Sequence, residues 1–499
     1  MNTKQLRQKI LDLAIRGKLV PQDPTDEPAS VLLERVRAEK ERLIKEGKIK
    51  RDKKDSTIIR GDDKSHYEQL PDGWVWCRLS AIATFAGGKT PSTNNPDFWN
   101  GSVNWVTSKD MKSKYIDSTQ IKMSALGAEQ MQIFNSNTLL IVVRSGILRR
   151  TLPLAILRTT STVNQDLKAI SYHCYESELS EYCYCYFSAI EQIILTKYQK
   201  DGTTVESINF EDFKDIEIPL PPLAESRRIV SAIESAFAVI GEIECNKTDL
   251  QSIITVAKSK VLSLAICGKL VPQDPNDEPA SVLLERIRIE REVLIKAGKI
   301  KRDKSESTIT RSSDNSYYEK IPVRVIGTNG QLPDGWVWAK LDDVANIVMG
   351  QSPSGDSVSD NATGTEFHQG KIFFTDRYLI HSKQYTSVGN KITDKNSVLL
   401  CVRAPVGTVN ITKRKIAIGR GLCALSPLGG ISVEFLFHWL TAFQSDFISQ
   451  ATGTTFIAIT TEVVRQQLIP IPPITEQHRI VVTIENSLTY LNEITKNIN

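Results

Sequence analysis

Cysteine is scarce, eight in 499 residues, and Cys77, Cys174, Cys183, Cys185, Cys245, Cys267, Cys401 and Cys423 include no C-x-x-C pair. That excludes a disulfide-built scaffold and a zinc ribbon, and it suits free thiols in a reducing cytoplasm. Histidine is scarcer still, and its six residues never stand at H-x-x-x-H spacing, so no zinc signature is present. No uncharged apolar run approaches the ~18 residues that a bilayer-spanning helix requires. Asp12 interrupts the short apolar stretch Leu11–Ile15, which is too brief for a secretory h-region. Charge of one sign is also missing: 62 Lys+Arg against 58 Asp+Glu leave a formal +4, which implies no partner by itself. What remains, 40% hydrophobic and 24% charged residues, is ordinary globular composition with length for several cores.

Catalytic signatures are absent too. Gly87-Gly-Lys-Thr90 ends like a phosphate loop, but Ala83 stands where the first glycine belongs, so a strand-end turn is expected. Asn95-Pro-Asp-Phe98 echoes the Asn-Pro-Pro-Phe loop of adenine-N6 methyltransferases but lacks its second proline, and no cofactor loop accompanies it. Ser145-Gly146 follows an arginine and lacks the nucleophile-elbow pattern.

What the chain has is a repeat. Gly17–Lys53 recurs as Gly268–Lys304 with six differences, at an offset of 251 residues. Leu70-Pro-Asp-Gly-Trp-Val-Trp76 recurs at Leu332–Trp338, and Ile218-Pro-Leu-Pro-Pro222 at Ile469–Pro473. Twice 251 overshoots the 499-residue chain by only three, so the second repeat is complete but cut open. Its first part is the C-terminus and its second part the N-terminus.

Ile229, Ile233, Ala236, Ile240, Ile243, Lys247, Leu250, Ile254, Ala257, Val261 and Leu264 step 4-3-4-3, which predicts a coiled-coil helix of ~60 Å between Pro221-Pro222 and Gly268. The same register in Ile480–Ile498 and Leu6–Leu13 predicts that the two terminal helices together imitate the central one and that the two rods pack on each other. Shorter helices are expected at Ser30–Glu46 and Ser281–Ala297, capped by the preceding Asp-Glu-Pro-Ala-Ser and stopped by Gly47 and Gly298. Between the helical parts lie two regions rich in β-branched runs (Leu139–Val143, Lys371–Phe374, Val398–Val402), with helices at Leu179–Leu195 and Val433–Ala442. Apart from the framing motifs, these two regions hardly match in sequence. The expected class is α+β: two mixed, strand-rich domains separated by two long antiparallel helices in a coiled coil, a pseudo-two-fold and circularly permuted repeat.

Binding chemistry is more visible than catalysis. No Asp or Glu occurs from Gln130 to Gln165, which holds Arg144, Arg149, Arg150 and Arg158, nor from Lys395 to Val433, which holds Arg403, Lys413, Arg414, Lys415 and Arg420. Such acid-free basic stretches suit phosphate neutralisation. Polar loops at expected strand ends add candidate contacts to bases and phosphates: Lys89, Thr90 and Ser92; Thr107, Ser108 and Lys109; Asn164 and Gln165; Gln351, Ser352 and Ser354; Gln369 and Lys371. Thr203, Thr204, Thr454 and Thr455, in the repeated Gly-Thr-Thr, complete the candidate DNA-binding set. No catalytic and no metal-ligating residue is expected.

The runs L-P-D-G-W-V-W, G-G-K-T-P-S-T-N-N-P-D-F-W, G-T-T-V and I-P-L-P-P-L-A-E-S-R-R-I-V resemble the DNA-specificity subunit of type I restriction–modification systems. The second half is similar to the same family through G-Q-S-P-S-G-D, R-A-P-V-G, G-T-T-F and I-P-I-P-P-I-T-E-Q-H-R-I-V. Arg144-Ser-Gly146 departs from the Arg-x-Pro-x-Gly form of Arg403–Gly407. The resemblance implies five segments: a conserved helical region at 1–69, a target-recognition domain at 70–222, a central helical region at 223–331, a second target-recognition domain at 332–473 and a conserved helix at 474–499. It implies a non-catalytic cytoplasmic subunit that reads double-stranded DNA, one half of a bipartite asymmetric site per domain. Two methyltransferase subunits and two restriction subunits are the implied partners. They would carry S-adenosylmethionine, ATP and Mg2+, with no cofactor on this chain. Two other readings fit the residues alone: a freestanding methyltransferase or nuclease with degenerate motifs, and a coiled-coil scaffold that binds proteins.

Overall fold

The computed structural model describes residues 2–49, 51, 70–200, 205–298, 332–354, 357–360, 363–388, 391–453 and 457–498. The chain divides into two compact units, Met1–Asn246 and Lys247–Asn499, and the long helix Leu223–Ile266 passes from one into the other.

Each unit is built on the same frame, down to single hydrogen bonds. In the first, the helix Thr3–Ile15 runs antiparallel beside the first half of the long helix, with Arg7 bound to Glu244 at 3.0 Å and laid over the Phe237 ring. In the second, the C-terminal helix Ile474–Ile498 runs antiparallel to the other half, with Lys258 on Asn492 at 2.6 Å. Arg228 pairs with Asp26 at 2.6 Å, and its repeat partner Arg479 pairs with Asp277 at 2.5 Å. The indole N–H of Trp74 donates to the Glu225 carboxylate at 3.0 Å, and that of Trp336 to Glu476 at 2.9 Å. Both carboxylates are buried, and burial pushes each above its ordinary range despite the indole hydrogen bond. Gly17 and Gly268 hold positive φ, and a Cβ there would fall 2.5 and 2.3 Å from Pro71 and Pro333, so the turn that admits the Leu-Pro-Asp-Gly-Trp segment requires glycine.

The short helices form at Ala29–Lys45 and Ala280–Lys296, one residue earlier than expected, and Gly47 and Gly298 end them at positive φ. Their capping differs from expectation. The N-cap is Pro28 or Pro279 with no side-chain bond, and the first free N–H, of Ala29 or Ala280, donates instead to the carbonyl of Gly73 or Gly335 at 2.8 Å. The frame itself caps the helix. The heptad seam is buried at Ile229, Ile233, Ile240 and Ile254, but Ile243 and Leu250 in its middle are exposed.

The inserts share a topology that their sequences conceal. In the first unit a five-stranded sheet has the order Ala83–Gly87, Leu167–Tyr172, Leu139–Val142, Leu154–Leu157, Tyr115–Ile116, beside a three-stranded sheet Lys122–Met123, Trp99–Val106, Ser161–Val163. In the second, four strands run Ala345–Met349, Leu422–Pro427, Ser397–Cys401, Val409–Thr412, beside Val358–Ser359, Tyr385–Thr386, Thr365–His368, Ala417–Ile418. The second-named sheet of each unit contains one parallel pair, with Val106 opposite Val163 and His368 opposite Ile418. A two-stranded ladder closes each insert, Val75 opposite Leu220 and Val337 opposite Ile471. Unlike side chains satisfy one need at that ladder: the Tyr182 hydroxyl donates to the Pro219 carbonyl at 2.5 Å, and the Trp439 indole to that of Pro470 at 2.8 Å.

Two local expectations change. The helix expected at Leu179–Leu195 is two, Glu176–Ala189 and Glu191–Lys197, broken at Ile190. The run Lys371–Phe374 is no strand but a 3-10 turn, Lys371–Phe373, with Phe373 and Phe374 packed on the small core around Leu379 and Leu399. The helix Val433–Ala442 has the bounds expected.

Candidate nucleic-acid interface

In both units the candidate loops gather at one end of the sheets, because parallel and antiparallel strands deliver their ends there. In the first, the Asn164 N–H donates to the Val106 carbonyl at 3.0 Å, which joins the turn 164–165 to the loop 107–109. Gly88 lies so close to this turn that a Cβ would stand 1.8 Å from the Val163 carbonyl oxygen, which is why glycine stands there. The Thr90 hydroxyl then bonds the Gln165 side chain. Val143 donates to the Asp166 carbonyl at 2.8 Å, which brings Arg144, exposed and bridged to Ser207, to the same edge.

The second unit repeats these bonds with other residues. Gly419 donates to the His368 carbonyl at 2.8 Å, and Gly350 packs where a Cβ would lie 2.1 Å from the Gly419 oxygen. The Ser352 hydroxyl bonds Gln369 at 2.8 Å and accepts from Arg420 at 3.3 Å. Val402 donates to the Gly421 carbonyl at 3.0 Å, placing Arg403 beside Ala458. Corresponding stations therefore carry Lys89 and Gln351, Thr90 and Ser352, Thr107 and Gln369, Lys109 and Lys371, Gln165 and Arg420, Arg144 and Arg403. Lys89, Lys109, Arg144, Arg150, Gln165, Gln351, Gln369, Lys371, Arg403 and Arg420 are all exposed, and Ser92 and Ser354 flank them at the surface.

Several candidates have other employment. Thr107 binds Asp110 through both its N–H and its hydroxyl, at 2.9 and 2.8 Å, and so shapes the loop that presents Ser108 and Lys109. Asn164 is buried and bonded to Asp166, so it shapes the turn that presents Gln165. Arg149 is held by Glu206 at 2.7 Å and thereby keeps that carboxylate below its usual range. Lys413 and Arg414 lie at the opposite end of the strands, since Val409–Thr412 leads away from Arg403. There Lys413 covers the Tyr378 ring at 3.9 Å and Arg414 grips Glu366 through two nitrogens at 2.9 and 3.0 Å. A count of charge along the chain does not register the acid that holds Arg414, which lies 48 residues earlier. Thr203, Thr204, Thr454 and Thr455 lie outside the described residues.

Sequence reasoning also missed a buried polar residue, with its partner nearer the surface, at the base of each parallel strand pair. Asn104 donates to the Thr159 hydroxyl at 2.9 Å and to the Asp117 carbonyl at 3.2 Å. Glu366, at the same register, accepts from Arg414, from the Ser382 N–H at 3.0 Å and from His368 at 2.8 Å, with His381 at 3.2 Å. Burial would raise this carboxyl, but Arg414, His368 and the Ser382 N–H overcome it and hold it at about 2. The available signal was spacing, since both residues stand equally far beyond Trp76 and Trp338.

Among the described residues no group of His, Cys, Asp and Glu could hold a metal, and no helix is long and apolar enough to cross a membrane. The buried thiols Cys77, Cys183, Cys185, Cys401 and Cys423 are pushed up by burial, which leaves them unreactive.

Comparison with known proteins agrees with this duplicated geometry. The family described as "Type I restriction modification DNA specificity domain" matches residues 71–252 and 333–499. The specificity subunit of the type I restriction enzyme EcoAI from Escherichia coli is 27% identical over 98% of this chain and 90% of that one. The EcoEI specificity subunit of the same organism is 29% identical over 70% of this chain and 63% of that one. In fold, the chain is similar to the HsdS subunit from Thermoanaerobacter tengcongensis, with a TM-score of 0.52 at 22% identity over 87% of this chain and 93% of that one. A chain from a structural study of type I restriction–modification complex assembly gives 0.57 at the same identity, over 87% and 94%. Two matched regions, each containing one insert with its converged loops, place this chain among the DNA-specificity subunits of type I restriction–modification systems, where it is the non-catalytic, DNA-recognising member.

Proposed function

We propose that each insert reads one half of a bipartite, asymmetric DNA site, with the converged loops as the reading edge. The observation that carries this is the correspondence of stations: the same backbone geometry presents Lys89, Thr107 and Gln165 in one insert where the other presents Gln351, Gln369 and Arg420. A shared scaffold with different donors and acceptors is what two unlike half-sites require, because bases are told apart by the hydrogen-bonding pattern at their edges. Arg144 and Arg403, identical in both, suit the phosphate backbone, which has no sequence. On this reading the bounds 70–222 and 332–473 delimit the two readers, and the segments 1–69, 223–331 and 474–499 carry the frame.

The duplicated frame offers equivalent faces to two copies of one partner, which supports two methyltransferase subunits and, with them, two restriction subunits. Apolar side chains left exposed on the helices, among them Val239, Ile253 and Val256 on the long helix and Val482 and Tyr490 on the C-terminal one, suit such docking. S-adenosylmethionine, ATP and Mg2+ belong on those partners, in the cytoplasm where DNA and cofactors meet. Mapping methylated adenines in the source genome tests the reading: two unlike half-sites at one fixed spacing are expected, and an unbroken or perfectly palindromic motif would contradict it. Methyl transfer by the purified chain alone would overturn its role as a reader that relies on partners.

A further inference from the structure

The polar pairs at the strand bases, each with one buried member, lie in the same place in the two inserts but are chemically unlike. Asn104 and Glu366 both occupy the central strand of the parallel pair, in register with Ser161 and one residue before Phe367 opposite Ala417. Both are buried. Thr159 and Arg414 approach them from the segment that leads into the neighbouring strand, two residues before Ser161 and Ile416. The first insert therefore ties its two strands with an uncharged amide and hydroxyl, extended by Thr119, whose hydroxyl bonds the Ile121 carbonyl at 2.6 Å. The second ties them with a two-pronged ion pair backed by His368 and by the Ser382 N–H. The strands so tied carry the reading stations at their far ends. Gln369 stands three residues beyond Glu366, roughly 10 Å along the strand, and Gly419-Arg420 follows directly on Ala417–Ile418.

We infer that Glu366 and Arg414 are positioning residues for the second reading edge, a charged clasp that sets where Gln369 and Arg420 stand, and that Asn104 and Thr159 do the same for the first edge without charge. This rests on the DNA-reading function proposed above. A bidentate carboxylate–guanidinium pair fixes direction as well as distance, and base readout needs donors placed to a fraction of an ångström. Loosening one clasp should blur one half-site and leave the other sharp. Arg414, which a sequence reader would send to the phosphates, thus acts on specificity through Glu366.

The test uses the full chain assembled with its methyltransferase subunits. Affinity is measured for a cognate duplex and for duplexes carrying one changed base pair in either half-site. Glu366→Gln keeps the shape and loses the charge; Arg414→Lys keeps the charge and loses the fork. Both are expected to cut discrimination at one half-site by about tenfold, within the range that a single well-read base pair supplies, while the other half-site stays within about twofold. Asn104→Ala should do the reverse. Equal loss at both half-sites, or a smaller active fraction that still discriminates like the parent, would overturn the inference. Should the parent chain show no half-site preference at all, the DNA-reading function itself falls. A discriminating parent with equally discriminating variants would remove only the clasp.

Discussion

Replacing Trp336 by phenylalanine tests whether the frame is held by buried hydrogen bonds to carboxylates. The Glu476 side chain is 1% exposed and takes the indole N–H at 2.9 Å. Phenylalanine removes that donor and part of the ring. A hydrogen bond to a charged group contributes roughly 1.5–3 kcal/mol, and the vacated volume adds to the loss, so Trp336→Phe should cost about 3 kcal/mol at neutral pH. The cost has a predictable pH dependence. Burial already raises the Glu476 carboxyl above its ordinary value, opposed by the Trp336 N–H. Without the indole the folded-state pKa rises further. A carboxyl whose pKa is higher folded than unfolded stabilises the fold at pH below its unfolded value and loses that contribution as pH rises through the folded value. The deficit of the variant should therefore be smaller near pH 4, where the vacated volume dominates it, and largest near pH 8. Urea denaturation at both pH values measures it, and Trp74→Phe, acting on Glu225, should give the same pattern in the other unit. A cost below about 0.5 kcal/mol, set against the 1.5–3 expected for such a bond, or one that does not grow with pH, would refute the reasoning.

Further outcomes follow from other parts of the molecule. One heptad inserted at Lys247, where the two units meet along the chain, lengthens the long helix by roughly 10 Å, about three base pairs of B-DNA, and nearly restores the helix face. The preferred spacer between half-sites should shift or binding should fail, with each half-site preference intact; an unchanged spacer preference counts against a helical ruler. Arg144→Ala and Arg403→Ala should each weaken binding and lower the slope of log affinity against log salt by about one, and parental affinity across several salt concentrations would remove them from the interface. His438, buried beside Arg377 and with Glu485 at 4.0 Å, is pushed down to about 4, chiefly by burial. Its neutral form is the folded one, so stability is full above pH 6.5 and falls as pH drops toward 4, by about 3 kcal/mol in all. His438→Gln should flatten that part of the stability–pH curve, and an unchanged curve would show that the histidine is not its source.

The frame was legible in the sequence because its jobs demand particular residues. Positive φ against a proline ring needs Gly17 and Gly268, a buried donor for a carboxylate needs Trp74 and Trp336, and such residues repeat as letters. The common topology of the inserts was not legible. Any β-branched or apolar residue fills a buried strand, so Leu139–Val142 and Ser397–Cys401 share a place in the sheet without sharing a sequence. The candidate interface was legible in part. Loops at strand ends announce themselves through Gly, Pro, Asn and Ser, and the loops of Lys89 and Gln165 meet in one unit, as those of Gln351 and Arg420 do in the other. Whether a polar side chain faces solvent or a neighbour depends on residues distant in sequence, as Arg414 with Glu366 and Arg149 with Glu206 show. The capping of Ala29–Lys45 was hidden for the same reason, its acceptor being Gly73.

The most direct measurement exchanges residues 70–222 for the corresponding insert of a relative that reads a different site, then maps adenine methylation in cells carrying the chimera and its methyltransferase. One half of the motif should change to the donor's while the other half stays as in the parent. A motif left whole, or one changed in both halves, would contradict the assignment of one half-site to each insert.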